Sequence, residues 1–171
     1  MDVISHGLWG SLAFGRKSRQ SFWLAFSFGV APDVIAFGPL FVARIFGFDG
    51  GFNFESGPPP ASQIPQYIYS LYSFTHSLII FAMIFALVWL FMRRPVWELC
   101  AWGLHILVDI LTHSYQFFPT PFLWPISNFK INSLNWSDPV IFIPDVALLI
   151  IAYSWLYIVR RKFRKQPNLT A

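Results

Sequence analysis

Residues Val96 to Phe118, VWELCAWGLHILVDILTHSYQFF, are long and apolar enough to cross a bilayer, yet they hold His105, Asp109 and His113 at i, i+4 and i+8. On a helix each step of four drifts by only about 40°, so the three side chains share one stripe. An imidazole or a carboxylate in hydrocarbon is costly, and ionisable groups inside a span mark functional sites. The stretch therefore predicts a helix inside a membrane bundle that carries a polar interior site.

Composition supports the membrane class. Only 12% of the 171 residues are charged and 56% are hydrophobic, against about 25% charged in a soluble domain. The single cysteine, Cys100, excludes an intrachain disulfide and a cysteine-rich zinc motif, and reads as a small apolar helix residue. The first fifteen residues carry no Lys or Arg, and the basic cluster follows the apolar stretch, unlike a cleaved signal peptide.

The expected fold class is an all-α integral membrane protein. Residues 3–15 are too short for a full span and predict a half-membrane or interfacial helix. Full spans are predicted at Ser21–Phe46, interrupted at Pro32-Asp33, at Tyr67–Met92, at Val96–Phe118 and at Pro139–Val159. A Gly/Pro-rich loop with Asp49, Glu55 and Pro58-Pro59-Pro60 joins the first two, and a loop rich in Pro, Asn and Trp precedes the last. Residues 1–160 form one helical domain, and 161–171 a basic cytoplasmic tail. Ten of the twelve Lys and Arg fall in the 16–19 turn, at Arg93-Arg94 and in the C-terminal cluster from Arg160. Positive flanks stay inside, so the C-terminus is expected in the cytoplasm and the Pro-rich loops outside.

Counted along helices from the nearest basic turn, His6, Asp33, His76, His105, Asp109, His113 and Asp145 lie at depths of roughly 15 to 28 Å. These are all four histidines and three carboxylates in one slab, with Asp138 at its rim and no Lys or Arg at matching depth. Buried charges must be paired, protonated or bound to metal. Imidazole with carboxylate suits zinc or another first-row divalent ion, manganese included. His6, Asp33, His76, His105, Asp109 and His113 are the candidate ligands, with Asp138 and Asp145 as possible additions. Thr75, Ser77, Thr112 and Ser114 either orient ligands or simply bond helix carbonyls. Each histidine alone reads equally as an interhelical hydrogen-bonding residue, and His-Glu-x-x-His is absent.

Ser5-His6, Pro32-Asp33, Thr75-His76-Ser77, His105-x-x-x-Asp109 and Thr112-His113 resemble the YdjM-like family of inner-membrane, LexA-binding proteins described as metal-dependent hydrolases. Leu123-Trp124-Pro125 and Trp136 are also similar to that family, and the resemblance covers most of residues 5–145. It implies a bacterial inner-membrane location. The order His, Asp, His, His-x-x-x-Asp, His more distantly resembles zinc-dependent phospholipase C and the single-strand nucleases. That resemblance implies Asp33, His76, His105 and Asp109 around one zinc, Asp109 bridging to a second ion near His6, and His113 serving a third. Two departures stand: those enzymes use a mature N-terminal Trp where this chain has Met1, and no histidine follows His113.

The resemblance implies phosphoester hydrolysis by a metal-activated water, with one to three ions and with Asp33 and Asp109 as catalytic carboxylates. Depth points to a lipid-linked or headgroup phosphate in the bilayer as substrate. The competing classes are an ion or proton transporter, which predicts groups spread along a path, and a non-catalytic structural or regulatory membrane protein. Nothing in the sequence beyond net charge supports nucleic-acid binding.

Overall fold

The computed structural model describes residues 1–48 and 64–164. Their regular structure is helical: α1 (Val3–Phe14), α2 (Arg19–Ile45), α3 (Gln66–Thr75), α4 (Leu78–Met92), a single 3-10 turn (Trp97–Leu99), α5 (Cys100–Thr112) and α6 (Pro139–Arg164). The loop residues Asp49, Glu55 and Pro58–Pro60, and the tail beyond 164, lie outside the described residues.

Two helices, α2 and α6, are long and apolar enough to cross a membrane, and α3 with α4 makes a third candidate bent by 56°. The expectation of four spans is thus corrected to two or three. The outer faces fit a lipid surrounding. Leu87, Leu90 and Phe91 on α4, and Ile150, Ile151 and Trp155 on α6, are all exposed, as large exposed apolar faces are at membrane contacts.

The stretch that looked most like a span is the one that is not. Its helix, α5, has 13 residues and rises about 20 Å, short of a hydrocarbon core of about 30 Å. At His113 the backbone turns extended, φ −121° and ψ 139°. The distant loop ends the helix by taking its last carbonyls. Ser133 Oγ donates to Leu111 O at 2.5 Å, Trp136 N–H to Thr112 O at 2.9 Å and Ser133 N–H to His113 O at 3.1 Å. The last carbonyls of a helix need partners from elsewhere, and here the 133–136 loop provides them for Leu111 and Thr112. α5 is a central helix packed against α1, α2 and α4, burying Ala101, Gly103, His105, Ile106, Asp109 and Thr112.

The Tyr67–Met92 span also breaks, at His76-Ser77. Ser77 caps α4, accepting Ile79 and Ile80 N–H at 3.2 Å each, and donates its hydroxyl to Trp124 O. A capping serine with extended backbone starts a new helix in a new direction. α2 differs in the opposite sense: it runs through Pro32 and Pro39 without a break. Each proline removes one ladder bond, that of Pro32 being to Phe28 O, and the neighbouring carbonyl, Gly29 O, is used by the site described below.

α1 is short, as the sequence predicts, and begins at an Asp2 cap that accepts Ile4 and Ser5 N–H. It lies directly on α2. A Cβ on Gly29 would sit 2.7 Å from His6 O and 3.0 Å from Gly7 Cα, so only glycine admits this approach; small residues at such crossings are the usual basis of helix association in lipid. Across the same end, Ser21 Oγ donates to the Glu98 carboxylate at 2.6 Å.

Two outcomes follow from this packing. Gly29→Val should lower the free energy of unfolding in detergent by about 1–3 kcal/mol, read from a thermal or denaturant transition. The Ser21 hydroxyl, with Lys17 and Arg94 near, holds the Glu98 carboxyl below its usual range. Its stabilising contribution is therefore present above the ordinary carboxyl pKa and lost as pH falls through the lowered one. Melting temperature measured from neutral pH to about pH 3 should fall less in Ser21→Ala than in the native chain.

Candidate metal centre

Four residues from three elements converge on one point: α2 brings Asp33, the α3 terminus His76, and α5 both His105 and Asp109. One ligand atom from each lies within 4.8 Å of all the others, an arrangement that can hold a metal ion. His105 Nε2 stands 3.0 Å from His76 Nε2 and 3.1 Å from Asp109 Oδ2, and His76 Nε2 stands 3.4 Å from both Asp33 Oδ1 and Asp109 Oδ2. The side chains of His76, His105 and Asp109 are 0 to 1% exposed, whereas Asp33 is 12% exposed and forms the accessible edge.

The far ring nitrogens fix the imidazoles. His105 Nδ1 is 2.7 Å from Gly29 O, a carbonyl that can only accept. Its proton therefore sits on Nδ1, and in the neutral ring Nε2 presents a lone pair to the cluster. His76 Nδ1 is 3.2 Å from Tyr72 O and 2.9 Å from Thr75 Oγ1; Thr75 Oγ1 is in turn 3.0 Å from Leu71 O. With the proton directed at Tyr72 O, His76 Nε2 also points a lone pair inward. Two lone pairs at 3.0 Å, beside two carboxylates, repel one another unless a proton or a metal ion lies between them. Asp109 Oδ2, buried with no hydrogen-bond partner, adds an unsatisfied acceptor at the same point. The donor set fits a divalent ion, and the Nδ1 contacts are the kind that orient metal-binding imidazoles.

His6 and His113 approach Asp109 from its other oxygen. His6 Nε2 lies 2.9 Å and His113 Nδ1 3.3 Å from Oδ1. His6 also stacks on His105, with centroids 3.6 Å apart. The stripe drawn through His105, Asp109 and His113 thus holds as proximity, although His113 has left the helix.

The remaining candidates lie elsewhere. Asp138 is exposed and caps α6, accepting Val140 N–H at 3.0 Å. Asp145 is buried but takes the Trp9 indole N–H at 2.7 Å; neither belongs to the four-residue group. Ser77 is a cap. Thr75 does contact His76, and Thr112 donates to Val108 O at 3.1 Å. Ser114 Oγ has no partner among the described residues.

Several neighbours of the site escape any reading of the sequence. The terminal amine of Met1 donates to Asp109 Oδ1 at 2.9 Å and to Thr112 Oγ1 at 3.0 Å. The Tyr72 ring stacks on His76 at 3.8 Å, a contact visible only as an i, i+4 spacing. Trp9 and the Gly29 carbonyl left no signal. Comparison with family models, with curated proteins and with solved structures returns no match.

Asp138→Ala should cost about 1 kcal/mol through loss of the α6 cap, measured by thermal unfolding in detergent, and should leave the divalent-metal content unchanged.

Proposed function

We propose that this protein is a membrane-embedded, metal-dependent phosphoester hydrolase of the YdjM-like kind. The observation that carries the reading is the pair of inward-facing imidazole nitrogens, His76 and His105, set against Asp33 and the unpartnered Oδ2 of Asp109. Asp33, His76, His105 and Asp109 would hold the ion. Bound there, a divalent ion supplies Lewis acidity toward water and neutralises phosphoryl charge.

The protein groups have separable tasks. Asp33 Oδ1 faces the two imidazoles, which leaves Oδ2 at the accessible edge to accept a proton from an attacking water. The water oxygen bonds to phosphorus as the ester P–O bond breaks, and the proton held on Asp33 is returned to the leaving oxygen. Gly29 O and Tyr72 O keep the two rings in register, and Asp109 is held by His6 and His113 through Oδ1. The substrate class is a phosphate carried by a lipid. Convergence of four groups from three elements supports a fixed reaction site over a relay, in which the groups would follow one another along a path.

His6 and His113 both reach Asp109 Oδ1, and these residues would hold a second ion. Elemental analysis of the detergent-purified chain tests both statements. One equivalent of zinc or manganese is expected for the four-ligand site alone and two if the second is also filled. His105→Ala and Asp109→Asn should lose metal and slow phosphoester hydrolysis by about 10²-fold or more, whereas Asp145→Asn should retain metal. A wild-type chain that stays empty after loading with zinc and with manganese would overturn the proposal.

A further inference from the structure

A cavity of about 500 Å³ opens beside the metal centre, with Asp33 and His113 at one end and Phe37, Phe41, Ile68 and Phe118 along its walls. That volume is in the range of a small-molecule site. The composition of the two ends is unequal. Asp33 and His113 belong to the polar cluster, while the remaining length is bounded chiefly by aliphatic and aromatic side chains.

The outer wall determines how the cavity is entered. Val34 and Phe41 line it and are nevertheless 55% and 60% exposed, and both lie within the Arg19–Ala43 segment of α2 that is apolar enough to cross a membrane. The cavity is therefore continuous with a surface that would face lipid. Gly38 leaves the wall open: a Cβ there meets nothing nearer than Val34 Cγ1 at 3.9 Å.

We infer that the cavity receives the hydrocarbon chain of an amphiphilic phosphoester, which enters sideways from the bilayer and brings its phosphate against Asp33 and His113. The reaction at that phosphate rests on the hydrolase reading; the chain site does not. A chain leaving lipid for an apolar cavity gains little transfer free energy, because both surroundings are hydrocarbon-like. The cavity accordingly orients the ester at the reaction centre more than it adds affinity, which is how binding of a remote part serves a reaction.

The test uses the full chain in phosphatidylcholine nanodiscs with two probes bearing a diazirine at the chain end, dodecanol and dodecyl phosphonate, the latter on zinc-loaded protein. After photolysis the labelled residues are mapped by mass spectrometry. Labelling is expected to concentrate on Phe37, Phe41 and Ile68, to be displaced by unlabelled dodecyl phosphonate and not by methyl phosphonate, and to be lost in Gly38→Leu and Val34→Trp. Val34 lies on the exposed face, so its variant keeps the test decisive if Gly38→Leu does not fold. Label spread evenly over Leu87, Ile150 and Trp155 as well, or cavity labelling unchanged in the folded variants, overturns the inference. Cavity labelling by dodecanol in a chain that binds no divalent metal supports the chain site and sinks the hydrolase reading. Metal-dependent phosphoester turnover with evenly spread label does the reverse.

Discussion

The constraint on which the rest of the structure depends is the burial of Asp109. Its side chain is 1% exposed, and a carboxylate at such a position must be surrounded by groups that favour its charge. The Met1 amine, His6 and His113 come within 3.3 Å of its Oδ1, and its Oδ2 faces His76 and His105 across the candidate metal centre. Those groups come from the chain terminus, α1, the α3 terminus, α5 and the segment just beyond it. Assembling them requires α1 to lie on α2, α3 to end at His76, and α5 to stop at Thr112. The fold is in this sense arranged around one side chain.

The break between α3 and α4 serves that arrangement. A continuous Tyr67–Met92 helix would carry His76 on a regular turn; the break caps α4 with Ser77 and leaves His76 at a helix end, its Nδ1 turned back to Tyr72 O. In the unbroken α2, Gly29 offers its carbonyl to His105. Irregular backbone is tolerated at membrane depth where it is buried in protein or lines a cavity, and the break at His76-Ser77 lies at the candidate metal centre.

The site residues were largely legible because their chemistry conflicts with their surroundings. His105 and Asp109 stand out in an apolar run, and helical spacing alone puts them on one face; Asp33 and His76 stand out for the same reason. Asp138 and Asp145 gave the same signal with different outcomes. Asp138 is exposed at the start of α6, where a carboxylate caps the helix at little cost. Asp145 is satisfied on one oxygen by Trp9, 136 residues away, and no local pattern announces that partner.

The sequence by itself determined that the chain is helical and apolar, that α1 is short, and that a small set of histidines and aspartates is set apart in hydrophobic stretches. These follow from composition and from the 3.6-residue period, which are properties of neighbouring residues. Tertiary structure alone decided that Val96–Phe118 contains a buried 13-residue helix instead of a span, that the second span bends, and that His6 and His113 share one oxygen of Asp109. The physical reason is the range of the interactions. α5 ends where Ser133 and Trp136 take its carbonyls, and hydrogen bonds between segments distant in the chain leave no trace in hydropathy or periodicity.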